Sequence, residues 1–571
     1  MNSFVNQYKW VGIVPLFNLF AAACLGLLLR FAFIQEISGL SYKNVLHGHS
    51  HVAMLGWLYL LLTVFLYHRP VDRAPDKTFF ILFFLTQASI LGMLVSFPIQ
   101  GYGPVSIVFS TIYLFLAYAF VRKVWLKSRG DLFFRAALLW LVLSTAGIWS
   151  LAVVMSQGNE YFAYYHGSVQ FFLHFQFNGW FTFAALSLFF RVMEEFGISF
   201  SPRDHKTFFV LLMLSTLLTF ALALSWAAPD EIMFYVNGLG VVLQVGALYF
   251  FLRIVRSAGR AYLSNVNLMV RIFSRAALLS FVLKVIIQLL VVIPSVAVIS
   301  YTIRLYVIGF FHLILLGMIT LFLIAYGLQK QYFTTNKLIS KVGWWLILAG
   351  FVLMELVLFS QGTMFWTGLG FMPGYYVIIF IASSLLPVGV LCAFTGQVME
   401  LIKLNTLNQI AMKVYKSVFM LSLGSVIFAC GGGTKNAETD QPESTPKEEV
   451  SKGVGQVEDI QLTDPLVDRL IGIGKKSFET KCSGCHKLNA ERVVGPGWAG
   501  ITNKRSPEWI MNMITNVDVM LEEDEEARKL LEECLTRMPN QNIPIDEARG
   551  LLEYMRKNDM DQVGSKDGAA D

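Results

Sequence analysis

The chain predicts an all-α protein: a polytopic bundle of about twelve transmembrane helices followed by a small helical domain. Three observations carry this. The 571 residues are 55% hydrophobic and 15% charged, with mean hydropathy +0.58, too apolar for an ordinary water-soluble chain. Apolar runs of about 20 residues, the length that crosses a bilayer as a helix, recur before residue 400. Charge is divided: residues 1–430 hold 27 Lys+Arg against 12 Asp+Glu, and residues 431–571 hold 18 against 27. A basic membrane part thus precedes an acidic tail, and nothing in the pattern suggests a nucleic-acid partner. The expected partner at this level is membrane lipid.

The runs lie near residues 10–33, 45–67, 78–99, 104–125, 132–156, 163–190, 207–227, 232–254, 273–297, 302–328, 342–361 and 374–398. In hydrocarbon only helices or closed barrels satisfy the backbone. Loops 68–77, 122–131, 253–271 and 329–341 are rich in Lys and Arg, while 100–104 and 228–231 are not. The basic loops alternate onto one face, which the positive-inside rule makes cytoplasmic. The N-terminus is then inside, and the second, sixth and tenth helices run inward from the outer surface.

Those three helices carry six of the nine histidines. His47, His49 and His51 stand at the outer end of the second, His166 and His174 on the sixth and His312 on the tenth. At 1.5 Å per residue the deeper ones lie roughly 10–15 Å below the surface. Neutral imidazole ligates metals and haem iron, so one layer of six points to a cofactor more than to six separate structural hydrogen bonds. His47 and His51 share a helix face, and His49 points nearly the opposite way. Lys284 and Gln288, four apart on the ninth helix, and Glu355 on the eleventh are costly in hydrocarbon. They suggest a proton route or a structural pair. Arg30 and Arg304, on the outer side, suit haem propionates or interfacial anchoring.

The tail is more legible. In "KCSGCHKL", Cys482, Cys485 and His486 have the C-x-x-C-H spacing that attaches c-type haem through two thioethers and an axial imidazole. "GPGWAGI" (495–501), Met538 followed by Pro539, and a closing helical stretch then come in order. Over residues 466–557 this resembles class I cytochrome c. The resemblance implies covalent haem c, His486/Met538 axial ligation and electron transfer. Met513 and Met520 are weaker candidates for the sixth ligand, and Cys534 reads as a buried thiol.

Residues 412–430, with a basic start, an apolar core and Cys430 before glycines, look like a bacterial lipoprotein signal placed inside the chain, or else a thirteenth membrane helix. Residues 431–465 read as a flexible tether, spanning roughly 30–35 Å, and residues 466–571 as the cytochrome domain. The expected location is the bacterial inner membrane, with the cytochrome on the extracytoplasmic side.

Twelve helices with histidines on the second, sixth and tenth resemble haem–copper oxidase subunit I. "HGHSHVAMLGW" and "HLILLGMITL" are also similar to NnrS-type membrane proteins linked to nitric oxide metabolism. The resemblance implies non-covalent haem b between His51 (or His49) and His312, with His174, and His166 near it, as metal ligands that include copper. Two departures stand out: the adjacent histidine pair at the family's seventh helix is missing, and Phe310 replaces the second histidine of the tenth. The expected function is electron transfer from haem c to the membrane cofactors, serving reduction of oxygen or nitric oxide, with other respiratory-chain subunits or electron donors as the expected partners. The alternative is a b/c-type conduit or haem-binding accessory protein without a gas-reducing site.

Overall fold

The computed structural model describes residues 2–35, 37, 40–67, 76–156, 162–225, 230–367, 369, 372–405, 451–483, 486–490, 495–534, 538 and 543–569. Among these, every regular element is helical. The chain divides into two compact units: Met1–Val298 with Val307–Phe359 and Gly374–Gly432, and Ile299–Tyr306 with Ser360–Pro373 and Gly433–Asp571.

The membrane helices are α1 (Trp10–Phe31), α2 (Tyr42–Tyr67), α3 (Lys77–Gln100), α4 (Pro104–Val124), α5 (Leu132–Met155), α6 (162–195), α7 (Pro202–Ser225), α8 (Glu231–Ser257), α9 (Leu268–Leu290), α10 (Arg304–Gln329), α11 (Leu338–Trp366) and α12 (Tyr375–Ile402). All but α6 are long and apolar enough to cross a membrane. α6 is helical over the sixth expected run. The thirteenth candidate, 412–430, lies outside the described residues.

Several helices start earlier than hydropathy suggests because polar caps open them. Ser41 Oγ accepts from Asn44 N (3.4 Å), Ser201 Oγ from Asp204 N (3.2 Å) and Asn267 Oδ1 from Val270 N (2.9 Å). α9 stops at Leu290, short of the expected 297, and Pro294 begins a separate short helix, Pro294–Thr302.

Lipid supplies no hydrophobic drive between helices, so packing and interhelical hydrogen bonds hold the bundle. Aromatic rings dominate its core. Trp57, Trp180 and Trp344 are fully buried, and Tyr59 meets Trp180 and Phe177 meets Phe311 across helices.

Three helices change character partway. α2 becomes π-helical over Val52–Tyr59, α6 over Phe175–Phe181 and α10 over Leu313–Thr320. Each π segment begins at the residue after a histidine: His51, His174 and His312. π-helix is rare and frequent at functional sites. Neighbouring side chains bond to its carbonyls. Asn18 Nδ2 donates to Gly56 O (2.9 Å), and Asn18 is itself paired with Gln87 (2.7 and 3.0 Å). Thr182 Oγ donates to Phe177 O (2.7 Å).

The other unit contains α13 (Asp468–Ser477), continued as a π turn over Phe478–Cys482, then α14 (Pro507–Thr515), α15 (Val517–Glu523), α16 (Glu525–Cys534) and α17 (Ile545–Val563). α13 crosses α17 where Gly474 meets Gly550; any Cβ on Gly474 would collide with the Gly550 carbonyl. Polar ties flank the crossing. Glu547 accepts from Ser477 Oγ (2.6 Å) and Lys481 Nζ (2.8 Å), and buried Glu553 accepts from Val467 N (2.9 Å), Arg549 (2.6 Å) and Arg556 (3.0 Å).

The expected tether, 431–465, is corrected over its second part. Residues from Ser451 onward form a strap across α14 and α15. Asn512 Oδ1 accepts from Val457 N (3.1 Å), while its Nδ2 donates to Lys452 O (3.2 Å) and Val457 O (2.9 Å). Ser506 Oγ donates to Ser451 O (2.9 Å). Residues 431–450 lie outside the described residues.

Candidate functional site

In the C-terminal unit, the π turn after α13 delivers Cys482, whose side chain is buried. Cys485 lies outside the described residues. The His486 amide donates to Cys482 O (2.9 Å). Its ring Nδ1 lies 2.9 Å from Pro496 O. A carbonyl only accepts, so Nδ1 carries the proton and Nε2 keeps a bare lone pair. That is the arrangement of a metal-ligating histidine. Burial pushes this imidazole below its ordinary pKa, against the opposing bond to Pro496. The ring also explains Gly495, where a Cβ would overlap it. Trp498 stands 5.8 Å from the His486 ring and 4.7 Å from Phe478.

Met538 is half-buried, between segments outside the described residues. Met520 is fully buried, and its sulfur accepts from Val454 N of the strap (3.0 Å); this bond occupies it and leaves it poorly suited as sixth ligand. Met513 is half-buried on α14, and the Cys534 side chain is outside the described residues. The buried Cys482 side chain, the tautomer of His486 and the room that Gly495 leaves for the His486 ring all fit a covalently attached haem.

In the membrane unit, α2 turns its histidines opposite ways. His49 Nδ1 donates to Ala22 O of α1 (2.8 Å), with Gly26 making room for the ring. His51 Nδ1 donates to His47 O (2.9 Å), and its ring stacks on Phe97 (4.2 Å) and faces Tyr102 (5.9 Å). Both therefore keep a bare Nε2. His47 packs on Tyr102 at 4.7 Å.

His312 is within electrostatic range of His49, and its buried Nδ1 has no hydrogen-bond partner. Arg30 acts on His49, His312 and Glu355. Both carboxylate oxygens of buried Glu355 lack a hydrogen bond. Polar groups from α2, α10 and α11 thus lie within electrostatic range of Arg30 on α1, and His312 Nδ1 and both Glu355 oxygens lack a hydrogen bond, which fits a bound polar cofactor.

Register points the same way. Trp57 Nε1 donates to Thr320 Oγ (2.8 Å), and further on Phe65 meets Tyr326 (4.8 Å), so α2 and α10 run parallel. Trp57 lies eight residues after His49, and Thr320 eight after His312. A bond at the lower pair therefore levels the upper pair. His51 is only six residues from Trp57 and rotated away.

The remaining candidates are elsewhere. His174 has both ring nitrogens engaged: its Nε2 donates to Thr216 O (2.8 Å) and its Nδ1 faces Asn178 Nδ2 (3.4 Å). His166 sits beside Tyr165 (5.0 Å). Among the described residues, no three or more His, Cys, Asp or Glu side chains gather where they could hold a metal ion. Buried Lys284 acts on His174, and Gln288 Oε1 is unbonded one turn away. Glu355 instead belongs with Arg30, so the described contacts do not join the three into one proton route. Arg304 opens α10, and His68 lies outside the described residues.

Sequence reasoning missed Trp57, Thr320, Asn18 and Thr216. The only signals were a tryptophan and single polar residues inside apolar runs.

Residues 471–559 match the family model described as Cytochrome c. Among solved structures, a cytochrome c from Rhodothermus marinus is 31% identical, with 19% of this chain and 92% of that chain covered and a TM-score of 0.19. An engineered cytochrome c from the same organism, bound to a carbene intermediate, is 30% identical, with 18% and 90% covered and a TM-score of 0.17. No curated protein matches the chain.

Proposed function

We propose that this chain, whose residues 471–559 are a cytochrome c domain, is a membrane electron carrier of b/c type. In this reading Cys482, Cys485, His486 and Met538 hold haem c, and His49 and His312 hold haem b. Haem at each place supplies one-electron oxidation and reduction. The protein's part is to fix the ligands. Pro496 O and Ala22 O keep His486 and His49 in the tautomer with a bare Nε2. Arg30 offers a guanidinium for paired bonds to a carboxylate-bearing cofactor. The observation that carries the reading is the levelled pair His49 and His312, beside Arg30 and an unbonded Glu355.

Reduction of oxygen or nitric oxide is the second reading, and it requires a further metal such as copper. Full engagement of both His174 nitrogens favours the carrier over that reductase. The proposed setting is the bacterial inner membrane, with the N-terminus cytoplasmic, the cytochrome domain outside, and redox proteins as donor and acceptor.

The test is a reduced-minus-oxidised spectrum of the purified full chain, with and without carbon monoxide, and metal analysis alongside. The reading expects b-type and c-type bands with little change on adding carbon monoxide. A c-type band alone would remove the membrane haem. Stoichiometric copper with a carbon monoxide-sensitive b-type band would favour the reductase.

A further inference from the structure

We propose that Trp57 and Thr320 are a positioning pair: their hydrogen bond sets how the His49 and His312 imidazoles face one another, and so tunes the iron they hold. This rests on the haem reading above and goes beyond it, giving a role to two residues eight positions past the ligands.

Three observations support it. First, both side chains are about 1% exposed, and the indole N–H meets the hydroxyl at 2.8 Å. In a water-free interior an indole N–H needs a partner. The bond joins the two histidine-bearing helices directly.

Second, the register is matched. Eight residues separate ligand from anchor on each helix, and the helices are parallel. A slip of either helix by one residue would move its histidine by about 1.5 Å and rotate it by about 100°. The anchor resists both.

Third, anchor and ligand are separated by the backbone most able to give way. Trp57 and Thr320 lie within the π segments Val52–Tyr59 and Leu313–Thr320. Wider π turns can pass to α geometry by shifting the hydrogen-bond ladder, and that shift would turn the histidine relative to everything below it. α2 is fastened on two sides against this. Thr320 holds it from α10, and Asn18, backed by Gln87 of α3, holds Gly56 O from α1. The α10 segment depends more on the Trp57 bond, because His312 Nδ1 has no partner of its own.

The experiment uses the purified full chain in lipid nanodiscs. Thr320→Val removes the hydroxyl at nearly constant shape, Thr320→Ser keeps it, and Trp57→Phe removes the indole N–H. The readouts are b-type haem content, the low-spin g values of the oxidised b-type haem, its midpoint potential, and the c-type potential as internal control. Thr320→Val and Trp57→Phe are expected to retain b-type haem while shifting its g values and midpoint potential. Thr320→Ser should restore wild-type values, and the double variant should shift no further than either single one. The c-type potential should not move. Unchanged g values and potential in both single variants, or a Ser variant that behaves like Val, would overturn the positioning role while leaving the haem in place. A wild-type protein without any b-type signal would overturn the haem reading itself, and this inference with it.

Discussion

At residues 49 and 51 a single helix makes two different offers. Both imidazoles donate through Nδ1 to a carbonyl, but one looks toward α1 and α10 and the other toward Phe97 and Tyr102. His49→Ala and His312→Ala are therefore each expected to abolish the b-type absorbance and leave the c-type band intact. His51→Ala should retain most of it. Loss of the b-type band in His51→Ala alone would transfer the ligand role to that residue. Gly495→Ala tests the other site at the same scale. A methyl there overlaps the His486 ring, and such overpacking costs about 1–3 kcal/mol. The variant is expected to lower the thermal midpoint of the C-terminal unit and to perturb the c-type spectrum, both followed through the Soret band. Met538→His should lower the potential of the c-type haem, since a thioether raises it. An unmoved potential would show that Met538 is not bound to iron.

Among the elements, α17 is the one whose charges decide stability. Burial alone would raise Glu553, but bonds from Arg549, Val467 N and Arg556 hold its carboxyl below the usual range. The folded state thus binds this proton less tightly than the unfolded chain. The stabilisation is complete above the ordinary Glu pKa of about 4.3. It is lost as pH falls through the lower folded value. Glu553→Gln is expected to flatten this acid limb, read as the thermal midpoint of the c-type Soret signal between about pH 6 and pH 3. An acid limb identical to wild type would place the titration elsewhere. Glu553→Ala removes one of the two carboxylates on Arg556, which is 1% exposed and keeps Asp567, and should cost about 1–3 kcal/mol.

Elements also differ in how plainly the sequence announces them. The membrane rods are legible because hydrocarbon demands long apolar runs. Cys482 and His486 are legible because covalent attachment needs its own spacing. The proposed choice of His49 over His51 is not, since it rests on the His49–Ala22 and Trp57–Thr320 tertiary bonds, which no local pattern records. The strap from Ser451 was hidden differently. Its polar, glycine-containing composition resembles a linker, and its order comes from Asn512, more than fifty residues away.

The whole molecule carries its charges in two blocks, with 27 acidic against 18 basic residues after position 430. A net charge of that sign should steer a basic redox partner and repel an acidic one. Stopped-flow reduction of the full chain is expected to be faster with a small basic cytochrome than with an acidic one. The advantage should shrink between about 20 and 200 mM salt as the Debye length shortens. Equal rates and no salt dependence would show that the c-type site is approached through a neutral surface.

The π segments bear on length variation. An α-helix with one residue too many for its two fixed ends accommodates the surplus as a π turn, so Val52–Tyr59, Phe175–Phe181 and Leu313–Thr320 are where a deletion is most readily absorbed. The helix would heal to ordinary geometry and remain in the membrane, but the histidine before the deletion would turn away from its partner. Related chains that keep His49 and His312 are then expected to keep eight-residue intervals to the Trp57 and Thr320 positions without gaps. Chains that have lost either histidine are free of that constraint, and single-residue deletions should collect in these windows first.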